Sequence, residues 1–112
     1  MLKNRLSPSA AFFAVAVLCA AVPARAGETA LVGIDNFTFA PAEITVTAGS
    51  TVTWVNHDDI PHVVADTAKG FRSPVLDTDG SYAMAFDKPG TYSYFCALHP
   101  HMTGRVTVVP KG

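Results

Sequence analysis

The sequence predicts an all-β protein, a β-sandwich or small barrel built from seven or eight short strands. Short runs rich in β-branched and aromatic residues alternate apolar with polar positions, which is the period of a half-buried strand. Turn residues separate these runs at intervals of roughly 8–12 residues, a spacing typical of such folds. No segment shows a sustained 3.6-residue period between helix caps, so the pattern does not favour a helical protein.

The strand candidates follow one another along the chain. The alternation is clearest at 43–47, where Ile44 and Val46 share a side, and at 51–55, where Val52 and Trp54 share a side. Phe37 and Phe39 are expected to carry an apolar side as well, broken at 40–42. The remaining predicted strands are 30–35, 62–66, 81–86, 91–96 and 105–109. Turn signals lie at 48–50, 77–80 and 88–90, and 67–74 is predicted to be a loop.

The first 26 residues have the pattern of a secretory signal peptide. Lys3 and Arg5 form a positive head, 10–22 is an unbroken apolar run of 13 residues, and 24–26 is the triplet Ala-Arg-Ala. The run is shorter than the roughly 20 residues that a membrane-spanning helix needs. An uncleaved anchor or a buried helix is the alternative. We expect cleavage after Ala26, which leaves one domain at 27–112, exports it to the periplasm and removes Cys19.

The expected mature domain has few features of a nucleic-acid or disulfide-rich protein. Loss of three leader cations leaves five basic residues against nine acidic ones, a net charge of −4. This balance gives no reason to expect a nucleic-acid partner. All four histidines remain, and Cys96 is the one cysteine left. A single cysteine cannot form an internal disulfide, so it is a free thiol, an intermolecular link or a metal ligand.

Most of the chemically distinctive side chains lie at 96–102, which we expect to be a loop between two strands. Cys96, His99 and Met102 offer a thiolate, an imidazole and a thioether at three-residue intervals, and His62 offers a second imidazole. Two imidazoles, one thiolate and one weak thioether are the ligand set of a blue-copper electron-transfer site. The soft sulfur donors suit Cu(I), whereas imidazole suits both oxidation states. The four residues therefore predict a copper site.

Taken singly, none of these side chains specifies a metal. Cys96 alone fits a buried inert thiol, and Met102 alone fits a core side chain. His62 alone fits a surface or capped histidine. The four together match one metal in softness and geometry, so the copper interpretation is preferred.

Longer motifs extend the comparison through most of the predicted domain. They are DNFTFAP at 35–41, EITVTAG at 43–49, VTWVN at 52–56, Pro-His at 61–62, PGTYSYFC at 89–96 and the run 96–102. With these motifs the sequence resembles the cupredoxins, and most of all their amicyanin branch, whose short His99-to-Met102 spacing it shares. The resemblance implies a cupredoxin-like Greek-key β-sandwich of seven to eight strands that holds one copper ion, Cu(I) or Cu(II).

The resemblance also assigns roles to individual residues. It implies that the copper ligands are His62, Cys96, His99 and Met102. Asn56, six positions before His62, matches a family asparagine whose hydrogen bonds tie the His62 loop to the cysteine-bearing loop, so it is expected to orient the ligands.

Two positions depart from the amicyanin pattern. Leu98 stands where amicyanin-type loops carry a proline, and it keeps a backbone N–H that could reach the thiolate. His101 stands where the loop usually carries an apolar aromatic residue, and it adds a titratable group beside His99.

The sequence therefore predicts a monomeric periplasmic electron carrier that is not an enzyme. The exposed edge of His99 is the expected electron port. Part of the docking patch is expected to be formed by Ile60, Pro61, Pro100 and His101. The resemblance implies a c-type cytochrome or a periplasmic oxidoreductase as redox partner, without selecting one. No membrane partner is expected once the leader is removed.

Other classes of function remain open from the residues alone. A copper carrier or buffer would use the same ligands, and a second, weaker surface metal site would be formed by His57, Asp58, Asp59 and His101. Ordinary solvated loop residues are the simpler interpretation of that group. An enzyme with a Cys96–His99 nucleophile–base pair would leave Met102 without a role. An immunoglobulin-like binding module would lack its Cys…Trp…Cys signature.

Overall fold

The computed structural model describes residues 27–111, and these residues form eight strands and no helix. The strands are β1 (Thr29–Asp35), β2 (Thr38–Ala40), β3 (Glu43–Thr47), β4 (Ser50–Asn56), β5 (Val64–Asp66), β6 (Ser81–Phe86), β7 (Gly90–Cys96) and β8 (His99–Val109). The expected leader, residues 1–26, lies outside the described residues, as does Gly112. Within 27–111, no helix has the length and apolar character needed to cross a bilayer.

The strands form two four-stranded sheets. One sheet has the order β2-β1-β4-β6 and the other has the order β3-β8-β7-β5. The β1–β4 and β3–β8 pairs are parallel, and the other neighbouring pairs are antiparallel. Every connection from β2 to β7 crosses from one sheet to the other. Consecutive strands therefore face each other across a shared core, and the predicted all-β sandwich of seven to eight strands is confirmed.

The core is built from every second side chain of each strand, because alternate residues of a strand point to opposite faces. In β4, Val52 and Trp54 are fully buried, whereas Thr53 between them is partly exposed. The Trp54 ring has four aromatic neighbours with centroids 5.2–6.4 Å away, namely Phe71, Tyr82, Phe86 and Tyr94. Burial of a large apolar side chain contributes roughly 1.5–3 kcal/mol. This aromatic cluster therefore supplies much of the attraction between the two sheets.

Two strands have the limits that the sequence predicts, and two others begin at different residues. β3 and β6 have the predicted limits. β5 begins at Val64 because His62, where the strand was expected to begin, forms only an isolated bridge with Leu76. β8 begins at His99, well before the predicted Arg105, because its pairing with β7 continues to a last pair between Cys96 and His99.

The connection between β1 and β2 places two phenylalanines differently from the prediction. Phe39 lies in β2 and is 1% exposed, in agreement with the predicted apolar side. Phe37 lies in the turn before it and is 50% exposed. The backbone explains the difference, since φ is 51° at Asn36 and 58° at Phe37, and these left-handed conformations reverse the chain there.

Seven strand ends meet at one end of the sandwich. β1 and β4 are parallel and both end there, β2 begins there because Thr38 pairs with Asp35, and β6 begins there because Val55 pairs with Ser81. In the other sheet, the last residue of β7, Cys96, pairs with the first residues of both β5 and β8. Residues distant in sequence are thus brought to this end, including the turn at 36–37 and the segment 57–63.

One close approach in the core requires glycine. Gly104 in β8 pairs with Tyr94 in β7, and a Cβ atom at Gly104 would overlap the Tyr94 ring. Tyr94 is 1% exposed and makes edge contacts with Phe39 at 4.8 Å and Trp54 at 5.2 Å, so its ring has no space to move aside.

We expect Gly104→Ala to lower the free energy of unfolding by about 1–3 kcal/mol, because overpacking forces the Tyr94 ring or its strand to shift. Gly33→Ala is the matched control, since its Cβ would lie an ordinary 3.5 Å from the nearest neighbouring atom. That variant should stay within about 0.5 kcal/mol of the parent protein. Urea unfolding of the three proteins measures the effect. Equal losses of unfolding free energy in both variants would contradict the close approach between Gly104 and the Tyr94 ring.

Candidate metal centre

Three of the four predicted ligands meet at the end of the sandwich. One potential ligand atom from each of His62, Cys96 and His99 lies within 4.8 Å of the other two. The Cys96 Sγ atom is 3.5 Å from His62 Nδ1 and 3.6 Å from His99 Nδ1. Cys96 and His62 are 0% exposed, whereas His99 is partly exposed. Two imidazole nitrogens and a sulfur atom therefore converge on one small volume that is open to solvent only beside His99.

Strand pairing places Cys96 and His99 opposite each other. They form the last pair of the β7–β8 hairpin, so only Ala97 and Leu98 connect the two strands. The preceding pair joins Phe95 to Thr103, which leaves residues 100–102 as extra residues on β8 at an irregularity in the ladder. The expectation of a loop at 96–102 was therefore wrong in part. His99 is already in a strand, because the tight turn returns the chain directly after Cys96.

Met102 is 5% exposed and belongs to the hydrophobic core cluster, although its neighbour His101 is exposed. Its side chain therefore lies on the inner side of β8, three residues after His99. A thioether in this position complements the two imidazoles and the thiolate. The donor set has the soft sulfur and borderline nitrogen character that copper prefers, so the residues present fit a copper ion.

His62 is anchored at both its backbone and its ring. Its N–H and C=O form a pair of hydrogen bonds with Leu76, at 3.1 and 2.8 Å. Its Nε2 atom lies 2.7 Å from Asp58 Oδ2. Because a carboxylate only accepts hydrogen bonds, this contact assigns the proton to Nε2 and leaves the Nδ1 lone pair directed towards Cys96. The imidazole is thus held in the tautomer that a metal requires.

Asp58 was not predicted in this role. The sequence analysis took it as a solvated loop residue, with a weaker surface metal site as the alternative, but the structure buries it against His62. Its carboxylate also accepts the backbone N–H of Asn36 at 2.6 Å and of Phe37 at 3.1 Å. Burial acts to raise the pKa of Asp58, but the hydrogen bonds from Phe37, His62 and Asn36 outweigh it and lower the pKa to about 2. The one available signal was an acidic residue four positions before a predicted histidine ligand.

The other members of the suggested surface site do not assemble. Within residues 27–111, one group of three or more histidine, cysteine or acidic side chains lies close enough together to share an ion. It consists of His62, Cys96 and His99. The His57 ring lies instead over Gly33 on β1, as it would contact a Cβ atom there at 3.5 Å. The simpler interpretation of His57, Asp59 and His101 as solvated residues is therefore favoured, although His101 lies in β8 and not in a loop.

Asn56 is fully buried, and its side chain makes three hydrogen bonds. Its amide donates to the carbonyls of Ile60 and Leu76, both at 2.9 Å, and its Oδ1 accepts the N–H of Asp58 at 2.9 Å. These bonds tie the segment before His62 to the segment that pairs with His62. The predicted link to the cysteine-bearing loop was wrong, because the end of β4 faces the 73–80 segment.

The Cys96 sulfur accepts a hydrogen bond from a backbone N–H that the sequence did not single out. The Val63 N–H lies 3.4 Å from Cys96 Sγ and donates to it. The sequence offered the Leu98 N–H as a possible donor, but among the described residues it makes no such bond. The N–H of Ala97 instead donates to the Val63 carbonyl at 3.0 Å, which ties the β7–β8 turn to the His62 segment.

Phe37 is a second residue that the sequence did not associate with the site. Its ring makes edge contacts with both imidazoles, with centroids 5.0 Å from His99 and 5.9 Å from His62. Half of Phe37 remains exposed, as does nearly half of Leu98, the residue before His99. The partly exposed imidazole therefore lies in an apolar surface.

Comparison with known proteins agrees with this geometry. Residues 28–109 match the family model for copper-binding proteins of the plastocyanin/azurin family. The chain is 42% identical over 98 residues to an amicyanin from Paracoccus versutus, covering 82% of this chain and 71% of that protein. It is 38% identical over 109 residues to amicyanin-alpha from Methylorubrum extorquens, covering 88% and 91%. A solved structure of a reduced amicyanin mutant matches with a TM-score of 0.69 and 32% identity, covering 72% of this chain and 82% of that one.

We expect Asn56→Ala to lower the free energy of unfolding by about 2–3 kcal/mol, because it leaves the Ile60 carbonyl and the Asp58 N–H without a partner and removes one of the two hydrogen bonds that the Leu76 carbonyl accepts. Thr38→Ala is the control, since it removes an exposed hydrogen bond to the Asn36 carbonyl and should change stability by less than about 0.5 kcal/mol. Urea unfolding of the metal-free proteins compares them. A loss in Asn56→Ala no larger than in the control would show that the buried bonds are dispensable.

Proposed function

Because this chain belongs to the plastocyanin/azurin family of copper-binding proteins, we propose that it carries single electrons between redox partners through one type 1 copper ion. The observation that carries the proposal is the convergence of His62, Cys96 and His99 at 3.5–3.6 Å in a site where only His99 approaches solvent. When copper is bound there, it supplies a one-electron Cu(I)/Cu(II) couple.

The protein holds the ligands in nearly fixed positions. His62, Cys96, His99 and Met102 provide the donor atoms, and three of these residues are buried in the sandwich. The Val63 N–H restrains the sulfur, and Asp58 restrains the His62 ring. Because the donors are held by strand pairing and hydrogen bonds, little has to move when the oxidation state changes. Small rearrangement favours fast electron transfer.

The burial of Cys96 and His62 also distinguishes the electron-transfer hypothesis from the copper-delivery hypothesis. Water and chelators have no direct access to Cys96 or His62, which are 0% exposed. A carrier that releases copper readily would need more accessible ligands. The closed site therefore favours electron transfer over the copper carrier or buffer alternative.

His99 is the proposed electron port. It is the ligand that is partly exposed, and Phe37 and Leu98 surround it with apolar surface. Together with Ile60, Pro61, Pro100 and His101, these residues form the proposed docking patch. A c-type cytochrome or a periplasmic oxidoreductase is the kind of partner that we propose for it.

The location is proposed from the sequence. The leader at 1–26 supports export and cleavage after Ala26, which would release the domain 27–112 into the periplasm. The net charge of −4 and the absence of a basic bias support a protein partner rather than nucleic acid.

Addition of Cu(II) to the purified protein is expected to produce an intense visible band from the sulfur–copper bond. Cys96→Ser should lose this band, because it removes the thiolate. Met102→Leu should keep an intense band but change the reduction potential, since the axial ligand tunes that potential. Visible absorption and electrochemical titration measure both effects. A parent protein with only weak copper absorption would refute the type 1 site.

A charge beside His99 is expected to slow electron transfer between two copies of the protein. Leu98→Glu should reduce the electron self-exchange rate about tenfold or more, because two like charges would meet at the proposed port. Leu31→Glu is the matched control. Leu31 is 65% exposed on the outer face of β1, far along the strand from the site, and this change should alter the rate only about twofold or less. Equal effects of both changes would argue against His99 as the port.

A further inference from the structure

One carboxylate contacts two separate parts of the metal centre. Asp58 Oδ2 lies 2.7 Å from His62 Nε2 and also accepts the Phe37 N–H at 3.1 Å. Asp58 Oδ1 accepts the Asn36 N–H at 2.6 Å. Asp58 thus joins an imidazole ligand to the turn between β1 and β2, although that turn lies more than 20 residues earlier in the chain.

The turn that Asp58 binds has a strained backbone. Asn36 and Phe37 both adopt left-handed conformations, with φ of 51° and 58°. This region is unfavourable for residues with a Cβ atom, and more so for a bulky side chain such as phenylalanine. Such conformations persist when the surroundings hold them. The two hydrogen bonds from the Asn36 and Phe37 N–H groups to Asp58 provide that restraint.

The backbone N–H and C=O groups of Asp58 are themselves held by hydrogen bonds. Its N–H donates to Asn56 Oδ1 at 2.9 Å, and its C=O accepts the Thr78 hydroxyl at 2.6 Å. The carboxylate therefore projects from an anchored backbone. A fixed carboxylate can position the groups that it binds, whereas a mobile one would follow them.

The strained turn determines where the Phe37 ring lies. Phe37 is 50% exposed, so core packing alone does not hold its ring. Its ring nevertheless makes an edge contact with the His99 imidazole, with centroids 5.0 Å apart. The His99 ring is the less buried of the two imidazole ligands and has the Cys96 sulfur and the Phe37 ring among its contacts. The position of Phe37 therefore limits the orientations open to His99.

We propose that Asp58 positions both imidazole ligands, His62 directly through Nε2 and His99 through the strained turn and the Phe37 ring. The consequence for copper rests on the proposed function, but the positioning itself is a property of the protein. Asp58 and Phe37 are positioning residues, because neither offers an atom to the metal position. The two imidazoles are then coupled by one side chain that the sequence did not associate with the site.

Asp58→Asn tests the proposal, because an amide has one acceptor oxygen and cannot accept all three hydrogen bonds from His62, Phe37 and Asn36. Its NH2 group would face at least one of these donors, and a neutral amide binds the His62 proton less strongly than a carboxylate does. Asp59→Asn is the matched control, since Asp59 is the exposed neighbour of the same charge. In the copper-loaded protein, Asp58→Asn should reduce copper affinity by about 10–100-fold and alter the reduction potential. Asp59→Asn should leave both unchanged.

Nitrogen-15 NMR of the diamagnetic Cu(I) protein separates the direct and the relayed effect. Asp58→Asn should expose the His62 Nε2 proton to faster solvent exchange and shift the His99 ring signals. Phe37→Leu should shift the His99 signals and leave the His62 Nε2 proton protected. The double variant should shift the His99 signals no further than Phe37→Leu alone.

Two results would overturn the proposal. One is that Asp58→Asn changes only the NMR signals of His62 and leaves those of His99 as in the parent protein. The other is no change at His99 in Phe37→Leu, which decides the matter even where Asp58→Asn fails to fold. Failure of the proposed function is distinguishable, because it would appear as a parent protein without an intense copper band. In that case the same NMR comparison on the Zn(II)-loaded protein still decides the positioning.

Discussion

The pairing of Cys96 with His99 at the end of the β7–β8 hairpin is the contact on which the metal centre depends. It places a thiolate opposite an imidazole with only two residues between the strands, and it brings Cys96 beside Val64, the first residue of β5. The hairpin keeps its position because β7 and β8 are central strands of their sheet. Further along the same pair, Tyr94 lies across Gly104 and joins the hairpin to the aromatic core around Trp54.

A polar network surrounds the site on the side of the other sheet. Asn56, Asp58 and His62 are buried polar residues, and burial of such groups is unfavourable unless their hydrogen bonds are satisfied. Here each of them has partners. Asn56 bonds to the segment before His62 and to the segment that pairs with His62, and Asp58 bonds to the histidine and to the β1–β2 turn. The network is favourable only in this arrangement, so it specifies one ligand geometry before any metal is bound.

Burial and exposure divide the tasks of the ligands. Cys96 and His62 are closed to solvent, which restricts exchange of a bound ion, whereas His99 is partly exposed and is the proposed route for a partner. Phe37 lies between these two regions, because its ring contacts both imidazoles and is itself half exposed. A docked partner would therefore contact a residue whose position depends on the buried network.

The sequence alone was sufficient for most of the strands and for the choice of donor residues, but not for where β5 and β8 begin. Alternation of apolar residues is a local property, so β3 and β6 have their predicted limits. The sulfur donors of Cys96 and Met102 and the imidazole of His99 are read from side-chain chemistry. Side-chain contacts between distant segments depend on which strand ends meet, and no local sequence pattern contains that information. Only the tertiary structure therefore moved Asp58 from a surface cluster to His62, directed Asn56 towards Leu76 instead of the cysteine loop, and placed the Phe37 ring on His99. Each of these contacts joins segments that become neighbours only when the seven strand ends converge.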